Sequence, residues 1–374
     1  MLTFVEKIFG ASAGSVVTVE PDYVVINDGV SHAAVDDIST VAYPEKVQVI
    51  YDHDVPTGRP EAAAVLRKNL AFAKKHGCPY IQAKGIGYLY LLNEVVKPGQ
   101  IVVGGGSHGS IFGAKKALGI NVSIPELARI VETGRYSIVV PGTVFVNVTG
   151  TLPEGSTAMD AALAFLKENR EAVYKKAIEV YAPSFSQHEK EVFLSMIGMC
   201  GAYTACIAEE ACKEAVSLDL SKVVPMVMLP CDSRQVQKDA EITEKAKVEG
   251  IGLHAGQIGG YTGGTIEDLR TAARVIEGKK LALGFRLSIC PATSRDYLQA
   301  CEEGIITKFI DYGAQIQAAG DHSEIVQGPG AMGFDEVLLT TGLYTYTGAM
   351  GVESARIYTA SVEAVAKASY TKQI

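Results

Sequence analysis

The sequence predicts an α/β protein. Short apolar runs alternate with longer amphipathic stretches through most of its 374 residues, the order expected when parallel strands are covered by helices. Glycine-rich polar segments follow several of those runs, which is where open α/β sheets hold their ligands. The length suits two or three domains at roughly 100–200 residues each.

Strands are expected at Tyr23 to Ile26, Val47 to Tyr51, Gln100 to Val103 and Lys280 to Leu287, where apolar residues are dense. Helical periodicity marks Pro60 to Lys75, Ala158 to Tyr174, His188 to Ala215 and Thr265 to Glu277. The stretch Tyr136 to Glu154 is rich in Val, Thr and Gly and reads as strands opening a middle unit. A second break is expected near Leu218 to Val224, before the glycine-dense segment Gly250 to Gly264.

Hydrophobic residues make up 48% and charged residues 20% of the chain, a composition that folds rather than stays disordered. With 34 basic against 42 acidic residues the net charge is −8, the wrong sign for a general nucleic-acid binder. The longest apolar runs, such as Val223 to Leu229, are strand-sized and short of the roughly 18 residues of a membrane span. Seven cysteines lack regular spacing, and Glu6 and Lys7 interrupt the N-terminus. The expectation is a cytoplasmic protein with free thiols, no secretory signal and neither membrane nor nucleic acid as partner.

Four segments could carry chemistry. In Tyr51-Asp52-His53-Asp54-Val55-Pro56, carboxylates flank an imidazole after a strand, which suits a general base, a cation site, or simply the cap of the next helix. Gly104-Gly105-Gly106-Ser107-His108-Gly109 brings small residues and a histidine to a strand end, either an anion-facing loop or only a tight turn. Gly259-Gly260-Tyr261-Thr262-Gly263-Gly264-Thr265 leads into a helix whose N-terminus suits an anion. Gly320-Asp321-His322-Ser323-Glu324 groups oxygen and nitrogen donors for a hard or borderline cation, or is a polar surface loop.

The order of these pieces resembles the large subunit of 3-isopropylmalate dehydratase, and more broadly the aconitase superfamily of cluster-dependent hydro-lyases, over nearly the whole chain. Phe4 to Phe9 with Ala13-Gly14 looks like that family's first helix, and Asp52-His53 like its D-H loop. Lys97 to Gly104 looks like the strand before its G-D-S-H-T motif, here Gly105-Gly106-Ser107-His108-Gly109. Ile266 to Arg270, Pro291 to Ala300 and Gly348-Ala349-Met350-Gly351 complete the series. The resemblance implies three α/β/α domains around a central cleft, with boundaries at 1–136, 137–219 and 220–374. It also implies a separate small subunit bearing a swivelling domain, since the sequence ends soon after the last motif.

The departures fall on the chemistry. Where the family holds a four-iron cluster with three cysteines, Tyr261, Asp321 and Glu324 stand here. Phenol and carboxylate oxygens select Mg, Mn, Ca or ferrous ions rather than iron–sulfur clusters. No four-iron cluster is therefore expected, and a divalent ion at Asp321, His322 and Glu324 is an option. The family Asp of G-D-S-H-T is Gly106, a family Glu is Met199, a family His is Tyr88, and Glu126 replaces a family Asp. The carboxylate-binding N-R-N-F-x-G-R segment is Leu343-Tyr344-Thr345-Tyr346-Thr347-Gly348-Ala349, without its arginines.

The resulting expectation is a remodelled, cluster-independent hydro-lyase or isomerase acting on a small, less anionic hydroxy acid. His108, His53, Asp52, Ser107 and Glu126 are its expected catalytic residues. Gly105, Gly106, Tyr261, Thr262, Tyr344, Tyr346 and Arg295 are the expected substrate contacts. The alternative is a non-catalytic descendant that binds a small molecule or a partner subunit.

Overall fold

The computed structural model describes residues 2–325 and 327–374. Its first sheet is five-stranded and parallel, in the order Tyr80–Gln82, Val47–Tyr51, Tyr23–Asn27, Ile101–Gly104, Leu118–Asn121. These strands are short Val- and Ile-rich runs buried on both faces, as helix-covered parallel strands must be. Pro60–His76 opens with proline at its first position and ends on Gly77 in the left-handed region, the usual punctuation of a helix.

A second parallel sheet orders Thr204–Ile207, Ala177–Tyr181, Thr143–Thr149 and Val216–Asp219. The third has seven strands, Ile242–Glu244, Met226–Met228, Arg356–Ala360, Val337–Thr340, Ala255–Ile258, Arg286–Ile289 and Gln315–Ile316 in that order. Only its first two strands run antiparallel to their neighbours. A two-stranded antiparallel ribbon pairs Val16–Val19 with Tyr136–Val139, so the domain boundary expected after residue 136 falls inside a strand. Among the described residues no helix is long and apolar enough to cross a membrane.

Two expected elements differ. The helix expected over His188 to Ala215 spans only Gln187–Met199, and Thr204–Ile207 is a strand. Gly201, at φ +90°, takes a left-handed turn that a continuing helix cannot accommodate. The strand expected from Lys280 begins only at Arg286. Before it, the Phe285 amide closes a turn on Ala282 O at 3.0 Å and Leu283 is 96% exposed, so apolar content there does not reflect burial.

One continuous core runs from Ile86, Leu89 and Phe112 beside the first sheet to Phe165, Phe193 and Met196 beside the second, and on to Leu338 and Tyr344 in the third. The loops at the strand C-termini of the first and third sheets thereby face each other. The Ile86 amide donates to Ala292 O at 2.8 Å and the Asp321 amide to Asp52 O at 2.8 Å, which ties the two sets of loops together.

Candidate active site

Three adjacent strands of the first sheet end in chemistry. Tyr23–Asn27 delivers Asp28, Val47–Tyr51 delivers Asp52 and His53, and Ile101–Gly104 leads to His108. Opposite them, Ala255–Ile258 leads to Tyr261, Gln315–Ile316 to Asp321, and Val337–Thr340 to Tyr344 and Tyr346.

Asp28 organises the Asp52-His53 turn. Its Oδ1 accepts from the Asp52 amide at 2.7 Å and the His53 amide at 3.0 Å, and its Oδ2 from the Asp54 amide at 3.0 Å. Burial works against its charge, but His53 and these backbone donors outweigh it and hold the carboxyl well below its usual range. Asp52 is 1% exposed; its Oδ2 accepts from the Gly87 amide at 2.7 Å, and its Oδ1 lies 2.6 Å from His53 Nδ1. Burial pushes Asp52 up to about 6 against the pull of His53. Burial of the imidazole is likewise overcome by Asp52, Asp28 and Asp321, so the His53 pKa is raised well above its ordinary value. With Nδ1 donating to Asp52, Nε2 is left 4.0 Å from Asp321 Oδ2. Gly29 makes room for it, because a Cβ there would lie 2.5 Å from that nitrogen.

His108 has the opposite setting. Its ring stacks on Tyr261 at 4.0 Å between centroids and 20°, and Tyr344 meets it edge-on at 5.9 Å. Its Nε2 lies 3.3 Å from Tyr344 Oη, while Nδ1 is buried with no partner among the described residues. Burial, aided by the charges of His53 and Arg234, pulls its pKa down to about 4 despite the attraction of Asp321. Burial would raise the Asp321 pKa, yet His53 and His108 together bring it below its usual value. Two histidines with opposite protonation preferences thus share one buried carboxylate.

A cavity of about 260 Å³ opens beside His53. Its walls include Asp54, Arg59, Arg234, His322, Glu324 and Tyr346. Glu324 Oε1 accepts from Arg234 Nη1 at 3.0 Å and from the Tyr346 hydroxyl. The guanidinium lies over the rings of Tyr344 and Tyr346 at 5.4 and 5.9 Å.

Several expected contacts are corrected by this geometry. Glu126 is exposed and closes a capping box with Ser123, so it serves the Ile124–Thr133 helix rather than the histidines. Arg295 is 79% exposed at its side chain, pairs with Glu94, and borders a separate outer groove of about 670 Å³ that holds no histidine. Thr262 Oγ1 donates to Thr341 O at 2.6 Å, a structural bond between the loops that follow two strands of the third sheet. The helix N-terminus after Gly264 offers no anion site, because Asp268 caps Thr265 and Asp296 accepts from the Ile266 amide at 2.9 Å. Gly105 is packed beneath Ser31, Ile124 and Leu127, whereas nothing lies within 4 Å of a Cβ placed on Gly106. Ser107 is a partner of the Tyr344 hydroxyl.

The metal expectation also shifts. Asp321 accepts from the Ser323 amide at 3.0 Å, His322 Nε2 meets Ala318 O at 2.9 Å, and Glu324 is held by Arg234 and Tyr346. The three therefore do not share a point. Among the described residues, Asp28, Asp52 and His53 form the one set of three ligand atoms within 4.8 Å of one another. Their lone pairs are largely engaged by the N–H donors above. A four-iron cluster does not fit these residues either: Tyr261 is 2% exposed with its ring on His108, and neither Asp321 nor Glu324 is free to join it. Cys290, beside Asp321, is fully buried and kept a neutral thiol by burial and by that carboxylate.

Sequence reasoning missed Asp28, Arg59 and Arg234. Asp28 follows its strand directly, as Asp52 does, and that shared position was a usable signal. Nothing in the local sequence marked Arg59 or Arg234.

Comparison with known proteins adds the lineage. Residues 6–208 and 202–371 match the family described as "Aconitase family (aconitate hydratase)". The chain is 30% identical to the 3-isopropylmalate dehydratase large subunit of Pyrococcus horikoshii, over 96% of this chain and 95% of that one. It is 29% identical to the homoaconitase large subunit of Thermus thermophilus, over 93% and 89% of the two chains. The crystal structure of Thermococcus kodakaraensis aconitase X in its holo-form shares the fold, with a TM-score of 0.60 at 12% identity, covering 98% of this chain and 92% of that one. With two matches that together cover most of its length, and relatives aligned almost end to end, the chain belongs to the aconitase family.

Proposed function

We propose that the chain is the large-subunit component of a hydro-lyase that adds or removes water on a small hydroxy acid without a four-iron cluster. The observation that carries this is the opposed pair of histidines around the buried Asp321 carboxylate, His53 on the cavity wall with its pKa raised and His108 stacked on Tyr261 with its pKa lowered. Two titratable groups pushed apart by their surroundings mark an acid and a base. In the dehydration direction His108 accepts the proton from the carbon next to the carboxylate. The electron pair forms the double bond as the C–O bond breaks, and the His53 imidazolium gives its proton to the departing hydroxyl, which leaves as water. The histidines exchange protonation states and reset through solvent.

Asp52 and Asp28 orient His53 and keep it charged, while Tyr261 and Tyr344 hold the His108 ring in place. The names of the relatives, each a large subunit, support a separate small subunit that completes the site. The test is turnover of a panel of hydroxy acids by the chain with and without its small partner, compared with His53→Gln and His108→Asn. Loss of activity in both variants with folding intact is expected. Wild-type rates in either variant would remove that histidine from the reaction.

A further inference from the structure

The cavity beside His53 carries charges that the acid–base pair does not use. Asp28 is neutralised by His53 and three backbone amides, and Glu324 by Arg234 and Tyr346. His322 is buried, and that burial lowers its pKa and keeps it neutral. Two wall residues remain uncommitted. Arg59 forms no ion pair among the described residues, and its Nε is buried there without a partner. The Asp54 carboxylate likewise has no hydrogen bond or ion pair among the described residues, although the Asp54 backbone is fixed by Asp28 and Tyr51. The two are not paired with each other, and both border the same cavity of about 260 Å³.

An uncommitted cation and an uncommitted anion in one small cavity are complementary to a ligand that bears both charges. A second carboxylate finds no free arginine, because Arg234 is clamped by Glu324 and packed on two tyrosines. We infer that the substrate is a zwitterionic hydroxy amino acid, its carboxylate taken by Arg59 and its ammonium by Asp54. This rests on the hydro-lyase reading for the presence of the hydroxyl. The charge pattern itself stands on the cavity alone.

The test is calorimetric binding of three probes: threonine, 3-hydroxybutyrate, which lacks only the ammonium, and malate, which adds a second carboxylate. Wild type is expected to bind threonine at least about tenfold more tightly than either other probe, the scale of one charge-assisted hydrogen bond. Asp54→Asn should erase the preference for threonine over 3-hydroxybutyrate, and Arg59→Gln should weaken both by about tenfold to a hundredfold. Glu324→Gln, which releases Arg234, should selectively improve malate. Thermal melting of each variant checks folding, with Arg59→Lys as a second probe of that charge. Binding of malate or 3-hydroxybutyrate as tight as threonine, no measurable binding of threonine, or an unchanged ratio in Asp54→Asn would overturn the inference. Threonine binding without any turnover would refute the hydro-lyase reading and leave the charge assignment standing.

Discussion

His53 Nδ1 lies 2.6 Å from Asp52 Oδ1, and the Gly87 amide holds the other carboxylate oxygen at 2.7 Å. The carboxylate is thus fixed at both ends and fixes the ring in turn. Asp52→Asn removes the charge and presents an NH₂ group to either His53 or Gly87, each already a donor. Turnover should fall by about 10²–10⁴, with substrate affinity changed much less. In a nitrogen-NMR titration the His53 ring should be doubly protonated at neutral pH in wild type and should titrate at lower pH in the variant. An unaltered titration would break the link between the two residues.

Gly29→Ala tests the space around the same ring. A Cβ 2.5 Å from His53 Nε2 cannot coexist with the present rotamer. The expected result is a loss of turnover of about 10²-fold from the displaced acid, with thermal melting checking that the fold is kept. Full activity would mean that His53 does not act from this position.

Acid stability should report on His108. Its folded pKa of about 4 lies below the unfolded value of roughly 6.5. As pH falls from 6.5 to 4 the unfolded chain takes up a proton that the folded site refuses, so stability declines across that window. The loss is up to about 3 kcal/mol. Urea melts at pH 7 and pH 5 should show that His108→Asn has a shallower acid limb than wild type; parallel limbs would contradict the buried neutral ring.

The alkaline side belongs to His188, which lies 3.0 Å from Asp268 Oδ1 and joins the Gln187–Met199 helix to the helix after Thr265. Burial lowers its pKa, but Asp268 more than compensates and lifts it to about 9. The pair's stabilisation is therefore complete below pH 6.5 and lost between roughly 6.5 and 9, on the order of 2 kcal/mol. His188→Gln should be less stable at pH 6 and equal to wild type near pH 10; a constant deficit at all pH values would point to packing alone.

Anaerobically purified protein should lack the broad visible absorption and the stoichiometric iron and sulfide of a four-iron cluster. Such a band, together with several irons per chain, would overturn the cluster-free proposal, since no three thiols converge among the described residues.

The strand ends that present His53 and His108 were legible because apolar runs followed by glycine and polar residues have one structural meaning in α/β proteins. Of the third-sheet residues, Tyr261, Asp321 and Glu324 stood out locally in glycine-rich or polar loops, whereas Tyr344, Tyr346 and Arg295 came only through the order of family motifs. Thr262 and Arg295 had the right chemistry, but a hydrogen bond to Thr341 and an ion pair with Glu94 commit them elsewhere. Such commitments depend on partners tens of residues away in sequence, as does the clamp of Arg234 by Glu324, 90 residues on. The end of the helix at Met199 was missed because apolar periodicity continued past Gly201 into the next strand.

The stack of His108 on Tyr261 joins loops from two different sheets. During synthesis the acid and the base emerge early, more than two hundred residues ahead of Tyr344, yet His108 lacks its stacking partner and its enclosure until the last sheet has closed. A truncated or nicked product would carry His53 with its aspartates but His108 without the two tyrosines that enclose it. Competence is therefore a property the polypeptide acquires all at once, at the end of its assembly, which makes activity a direct reporter of a completely folded chain.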